Sequence, residues 1–123
     1  MRDLASSAAT EAVERRGGDV ILLDLQGLTS ATDYFVIASG ESDVQVKAIA
    51  ERIEERLRER GVRPWHVEGL QNSNWVLLDY VDFVVHVFHR EARGYYALER
   101  LWADAPVVPF PAEDPTELWA GRE

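Results

Sequence analysis

The chain has 123 residues, 46% of them hydrophobic, which is enough for one domain with a buried core and too few for two ordinary domains. It contains no cysteine, and this excludes a disulfide framework, a thiolate metal site and a cysteine nucleophile. No apolar run approaches the roughly 20 residues that span a bilayer, and the first residues lack the apolar core of a signal peptide. We therefore expect a cytoplasmic protein.

The net charge of −9 is concentrated in two stretches without Lys or Arg, residues 17–46 and 64–89. Together these stretches hold 8 of the 22 acidic residues and none of the 13 basic ones. A protein that binds nucleic acid directly normally carries a basic stripe, so this distribution argues against that class. We expect either a basic protein partner, attracted by the acidic surface, or an acidity that only maintains solubility.

The first part of the chain predicts a helix followed by two strands. The helix covers Leu4 to Arg16 and ends at Gly17-Gly18. Compact apolar runs of strand length follow at residues 19–25 and 34–38, the second of them rich in aromatic and β-branched residues.

The second predicted helix has the clearest signals in the sequence. Ser42 can accept a hydrogen bond from a free backbone N–H while Gln45 reaches back, as in a capping box. Gly61 ends the helix, and Pro64 prevents it from resuming. Its apolar residues recur at helical spacing: Val46, Ile49, Ile53 and Leu57.

Three strands and a last helix are predicted in the second part of the chain. The strands cover residues 65–67, 75–79 and 83–88, and the helix covers residues 90–103. The strands at 75–79 and 83–88 are apolar on both faces, so we expect both to be central and covered from two sides.

The alternation of helices and strands predicts the α/β fold class, with a single domain and a mixed sheet of about five strands flanked by helices. We assign this domain to residues 1–105. Residues 106–123 contain four prolines, so we expect a flexible tail that is excluded from the sheet.

The segment Ser39-Gly40-Glu41-Ser42 joins a strand to a helix N-terminus, where phosphates often bind. Glu41 and Asp43 would place two negative charges beside such a phosphate, and the segment contains no lysine. We interpret it as a strand-to-helix turn capped by Ser42.

Two pairs of residues are candidates for holding a metal ion. Asp79 and Asp82 lie three residues apart across a turn, so they are better suited to hydrogen-bonding the local backbone. His86 and His89 have an odd separation, which points their side chains to opposite faces of a continuing strand. No motif of a known catalytic class is present, and we predict no enzyme activity, no cofactor and no metal.

The chain resembles the ribosomal silencing factor family RsfS, also called the Iojap-related family, over roughly residues 4–105. Several motifs occur in the same order as in the family, so chance agreement is improbable. These motifs are residues 33–40 (DYFVIASG), 68–69 (EG), 75–80 (WVLLDY), 84–88 (VVHVF) and 96–102 (YALERLW).

The resemblance implies a nucleotidyltransferase-like α/β fold that has lost catalysis. It also implies binding to the large ribosomal subunit at ribosomal protein L-fourteen, on the face that the small subunit would otherwise occupy. A body bound there would block subunit joining and lower translation when nutrients are scarce. Family members are often homodimers when free, so we expect that this protein can be one.

Several large or polar side chains are candidates for contact with the ribosomal protein. We expect Tyr80 and Asp82 to be exposed in a turn, whereas Trp75 and Trp102 are equally suited to the core and His86 is better suited to it. The full set of candidates is Trp75, Asp79, Tyr80, Asp82, His86, Tyr95, Tyr96, Glu99 and Trp102.

Two other functions are compatible with the sequence. One is a nucleotide-binding or nucleotidyltransferase-like enzyme, which nucleoside triphosphates with magnesium would stabilise against heat. The other is a homodimeric interaction domain for a different basic protein, which would not sediment with large ribosomal subunits.

Overall fold

The computed structural model describes residues 2–92 and 103–110, which form a five-stranded sheet with two helices on one of its faces. The helices are α1 (Arg2–Glu14) and α2 (Asp43–Glu59), and the strands are β1 (Gly18–Asp24), β2 (Tyr34–Gly40), β3 (His66–Glu68), β4 (Trp75–Asp79) and β5 (Phe83–His89). Within the described residues, no helix is long and apolar enough to cross a membrane. The predicted helix at 90–103 begins at Arg90, but residues 93–102 lie outside the described part of the chain.

The strands lie in the order β1-β2-β5-β4-β3. β2 and β5 pair in parallel, and all other neighbours are antiparallel, so the predicted α/β class and mixed sheet are confirmed. A parallel pair requires a crossover between its strands, and α2, β3 and β4 form it here. β5 therefore lies in the centre of the sheet, between β2, which is distant in sequence, and β4, which immediately precedes it.

The predicted cap of α2 is confirmed and also connects the two helices. Ser42 Oγ accepts a hydrogen bond from the backbone N–H of Gln45 at 3.1 Å. The side-chain oxygen of Gln45 accepts from the N–H of Glu41 at 2.6 Å, one residue earlier than in a standard capping box. The same side-chain amide donates to the carbonyl oxygen of Arg16 at 3.1 Å, which fixes the end of α1 beside the start of α2.

Alternation along β4 separates the two faces of the sheet. Val76 and Leu78 are fully buried beneath the helices, whereas Trp75, Leu77 and Asp79 on the opposite face are only half-buried. β4 is therefore an internal strand, as expected, but its two faces are buried unequally, because only the face beneath the helices is fully buried. The opposite face has a small core of its own toward β1, formed by Leu23, Leu25, Ile37, Phe88 and Ala105.

The segment 106–108 lies along the outer edge of β1. The backbone N–H of Asp24 donates to the carbonyl oxygen of Pro106 at 2.9 Å, and the N–H of Val108 donates to the carbonyl oxygen of Leu22 at 2.7 Å. The expectation that prolines exclude the tail from the sheet does not hold here, because proline lacks a donor but keeps its carbonyl acceptor and is tolerated at a sheet edge. Residues 111–123 lie outside the described part of the chain.

Candidate functional site

The face of the sheet opposite the helices contains a cavity of about 540 Å³. Strand register brings its central side chains together, because Leu77 of β4 lies opposite His86 of β5, and Phe35 of β2 lies opposite Val84 of β5. The loops at this end of the sheet complete the wall. The lining residues are Thr29, Ala31, Thr32, Phe35, Trp65, Leu77, Asp79, Val81, Val84 and His86.

Two large apolar side chains stand exposed at the rim of this cavity, Trp65 at 76% exposure and Val81 at 55%. Trp65 is positioned by its backbone N–H, which donates to the carbonyl oxygen of Asp79 at 2.7 Å. Val81 has a φ of 72°, a conformation that a β-branched residue rarely adopts, and Asp79 Oδ1 accepts its N–H at 2.8 Å. Strained residues of this kind cluster at binding sites, where the surrounding structure holds them in place.

His86 lies in the wall of the cavity and is only 4% exposed. Its Nδ1 accepts a hydrogen bond from the indole N–H of Trp75 at 3.0 Å. An indole nitrogen can only donate, so Nδ1 carries no proton and the neutral imidazole is protonated on Nε2. Burial lowers the pKa of His86 to about 4, and the side chain is therefore uncharged at neutral pH.

The cavity lining is apolar, with one acidic side chain, Asp79, and no Lys or Arg among its ten residues. The basic residues of α2 lie on the other side of the sheet, because that helix covers the opposite face. The described part of the cavity face therefore presents negative charge beside apolar surface, which suits a basic protein partner.

The structure brings three of the predicted contact residues together. Asp79 and His86 line the cavity, and Trp75 is held against His86 by the indole hydrogen bond. Asp82 is half-buried at the β4–β5 turn, where its backbone carbonyl accepts from the N–H of Asp33 at 2.9 Å. The predicted contacts in the last helix lie outside the described residues: Tyr95, Tyr96, Glu99 and Trp102.

The expectation that Tyr80 is exposed is wrong, since its side chain is 6% exposed. Tyr80 follows Val76 and Leu78 at two-residue intervals, and this alternation directs it into the core beneath the helices. Its ring stacks on Phe83 at a centroid distance of 4.7 Å, and burial raises the pKa of its hydroxyl above the ordinary value. Tyr80 is therefore a core residue and does not contribute to this surface.

Other residues of the site were not predicted. Leu77 could have been found by counting two residues on from Trp75, which places both on the same face. Phe35 and Val84 reach the cavity only through the parallel pairing of β2 with β5, and sequence periodicity does not determine which strands pair. Trp65 carries no sequence signal that separates a rim position from a core position.

The interpretation of the Ser39 segment as a capped turn is confirmed, and that of the acidic turn is confirmed for Asp79. Asp79 hydrogen-bonds the backbone of Val81, as a turn-forming Asp does, and Ser42 caps α2. Across residues 2–92 and 103–110, no group of three or more His, Asp or Glu side chains is arranged to hold a metal ion.

The fold and this face together define a small α/β domain with a largely apolar cavity, an exposed tryptophan at its rim and a neighbouring carboxylate, features that serve binding. Residues 1–121 match the family model described as "Ribosomal silencing factor during starvation". The chain is 42% identical over 107 residues to ribosomal silencing factor RsfS of Bacillus subtilis (strain 168), covering 87% of this chain and 91% of the relative. The chain therefore belongs to the RsfS family of ribosomal silencing factors, as its motifs predicted.

Two further comparisons support the fold and the wider relationship. A crystal structure of a protein from Chromobacterium violaceum superposes with a TM-score of 0.81 at 35% identity, covering 94% of this chain and 97% of the other. The chloroplastic protein Iojap of Arabidopsis thaliana is 30% identical over 113 residues, covering 92% of this chain and 47% of the relative. The family model and the Bacillus subtilis relative are named for ribosome silencing and not for a catalysed reaction.

Proposed function

We propose that this protein binds the large ribosomal subunit at ribosomal protein L-fourteen and blocks association with the small subunit. The observation that carries the proposal is the family match over residues 1–121. The protein acts in the cytoplasm, without an enzymatic step or a cofactor, and lowers translation when nutrients are scarce.

The mechanism is steric. A folded chain of this length has a radius of gyration of about 14 Å, so a bound molecule adds a body roughly 35 Å across to the subunit surface. If that body lies where the two subunits meet, the small subunit cannot approach to contact distance. Blocking by occupation requires affinity and correct placement but no chemical step.

The cavity face is our proposed contact surface for the ribosomal protein. Exposed aromatic side chains such as Trp65 supply contact area at low entropic cost, and such residues are enriched at interface cores. Asp79 and Asp82 add negative charge at the same end of the sheet, where they attract a basic partner during the approach. Trp75 and His86 support the surface from beneath rather than through exposed area.

The charge contribution can be tested by changing Asp79 and Asp82 together to Asn. The amide side chain introduced by Asp79→Asn keeps an oxygen that can accept from the N–H of Val81, so the turn should persist while two negative charges are lost. We expect a slower association rate with large subunits, and the difference should shrink as salt rises, since exposed charges are screened over about 10 Å at 0.1 M. Surface kinetics at two ionic strengths measures this.

A matched control changes Glu51 and Glu55 to Gln, which removes the same charge from the helix-covered side of the molecule. This control should leave the association rate close to that of the unmodified protein. Equal rates for both double variants would exclude Asp79 and Asp82 from the contact surface. A faster dissociation that persists in high salt would instead indicate buried ion pairs.

We further propose that the protein forms a homodimer when it is not bound to the ribosome. Light scattering coupled to size-exclusion chromatography gives the mass directly, and the monomer mass is 13.9 kDa. A single species at the monomer mass over a wide concentration range would contradict the dimer without affecting the proposed ribosome contact.

A further inference from the structure

The cavity on the sheet face has the dimensions of a small-molecule site. Its volume of about 540 Å³ lies within the roughly 300–1,000 Å³ that is usual for such sites. Its wall is formed mainly by Phe35, Leu77, Val84 and the rim residue Trp65, with only a few polar groups among them. This combination of an apolar wall with a few polar groups is typical of sites that bind organic molecules of low molecular weight.

Two polar atoms in the wall of this cavity are buried and have no hydrogen-bond partner among the described residues: Thr32 Oγ1 and His86 Nε2. Trp75 occupies Nδ1 of His86, so the unpaired Nε2 carries a proton and needs an acceptor. The Thr32 hydroxyl can donate or accept. A buried polar group without a partner costs free energy, and a ligand that pairs with it recovers that cost.

These groups define the chemistry of the ligand. Thr32 lies two residues before the start of β2, whereas His86 of β5 is paired with Ile37, the fourth residue of β2. The two polar groups are therefore separated along the direction of the strands. The ligand therefore needs polar groups at both ends of an apolar body. An anionic ligand is disfavoured, because the ten lining residues include the carboxylate of Asp79 and no Lys or Arg. We propose that the cavity binds an uncharged or cationic aromatic amide, or a heterocycle with the same pattern, whose acceptor receives the His86 Nε2–H.

Access to the two atoms requires a small local movement, because both are shielded from water. The Phe35 ring is half-buried and meets the His86 ring edge-on at a centroid distance of 4.5 Å. Binding would therefore require the Phe35 ring to move away from His86, and the ligand ring would replace the contact that Phe35 makes.

Occupation of the cavity has a consequence for ribosome binding, and this step rests on the proposed function. Asp79 and His86 belong both to the cavity and to the proposed contact surface. A bound aromatic amide would separate the ribosomal protein from this surface and would lower the affinity for the large subunit. Silencing would then respond to the concentration of a small molecule.

Three matched probes test the binding step on the full chain: indole-3-carboxamide, 3-methylindole and indole-3-carboxylate. The carboxamide offers an acceptor and an indole N–H, the methyl compound lacks the acceptor, and the carboxylate is an anion of the same shape. By NMR titration we expect the carboxamide to bind with a dissociation constant of about 1 mM or lower. Each of the other two probes should bind about tenfold more weakly.

The imidazole provides a direct signal for the proposed hydrogen bond. On addition of indole-3-carboxamide, the Nε2–H proton of His86 should move downfield and exchange more slowly with water. Thr32→Val removes the unpaired hydroxyl while keeping the shape, so it should retain or raise the melting temperature and weaken the carboxamide severalfold. Ala31→Phe at the exposed mouth should block the probe, whereas Val44→Phe, which introduces the same side chain at a distant exposed position, should not.

Several results would overturn the ligand site. The absence of shifts at cavity residues with any probe would do so, as would equal binding of carboxamide and carboxylate. If no probe binds but Ala31→Phe weakens association with large subunits, the cavity is a receptor for the ribosomal protein and not for a small molecule. If the carboxamide binds as expected but does not compete with large subunits, the ligand site stands and the proposed contact surface is wrong.

Discussion

Val108→Ala tests whether the proline-rich segment is part of the fold. Val108 is 6% exposed and belongs to the main core, and its N–H is bonded to β1. The substitution removes two buried methyl equivalents at about 0.8 kcal/mol each, and the cavity that remains adds to this. We expect a total loss of about 2–3 kcal/mol, which for a chain of this size lowers the melting temperature by roughly 8–12 °C.

Val107→Ala provides the control, because it is the same change one residue earlier at a side chain that is 65% exposed. Its cost should remain within about 0.5 kcal/mol. Urea denaturation followed by tryptophan fluorescence measures both variants, and the slope of the transition should not change. Equal and small effects at both positions would refute the packing of this segment and would restore the expectation of a tail that is excluded from the sheet.

Three further substitutions or conditions test particular parts of the structure. Gly69→Ala would place a Cβ against the carbonyl oxygen of Trp75 at a φ of +88°, so it should lower the free energy of unfolding by more than about 3 kcal/mol. Gly61→Ala has a similar φ of +81° but open space around it, so it should lower the free energy of unfolding by only about 1–2 kcal/mol. Thermal melts measure both variants. The pKa of His86 is lowered to about 4, from about 6.5 in the unfolded chain. The free energy of unfolding should therefore fall by about 2 kcal/mol between pH 8 and pH 5, because the unfolded state takes up the proton in this range. An imidazole that titrates near its ordinary pKa by NMR would contradict this. Tyr80→Phe removes a buried hydroxyl that has no hydrogen-bond partner among the described residues, so stability should stay the same or rise by about 1 kcal/mol. Ribosome binding should be unaffected. A large loss of affinity at unchanged stability would instead place Tyr80 in the contact surface.

Much of the fold follows from local patterns that the sequence contains in full. The bounds of β4 agree with the prediction at both ends, because Trp75 and Asp79 mark a clean apolar run between polar loops. The start of α2 was predictable for the same reason, since Ser42 and Gln45 carry the cap within four residues. β2 continues two residues beyond its predicted end because it follows β5 as far as His89, a tertiary constraint that its own residues do not reveal.

The site was less predictable because it depends on pairing across the sheet. The hydrogen bond between Trp75 and His86 joins residues that are 11 apart, and only the register of β4 with β5 places them side by side. The incorrect expectation that Tyr80 is exposed has a different cause. The two-residue alternation that places Leu78 in the core continues into the turn, and applying it there would have identified Tyr80 as buried.

The most direct test of silencing is a subunit-joining measurement. Purified large subunits are incubated with the protein, small subunits are then added, and the mixture is separated on a density gradient. The steric account predicts that the protein sediments with free large subunits and that the peak of joined ribosomes falls as protein is added, to a limit set by its saturation. Joined ribosomes that form in undiminished amount while carrying the protein would contradict it.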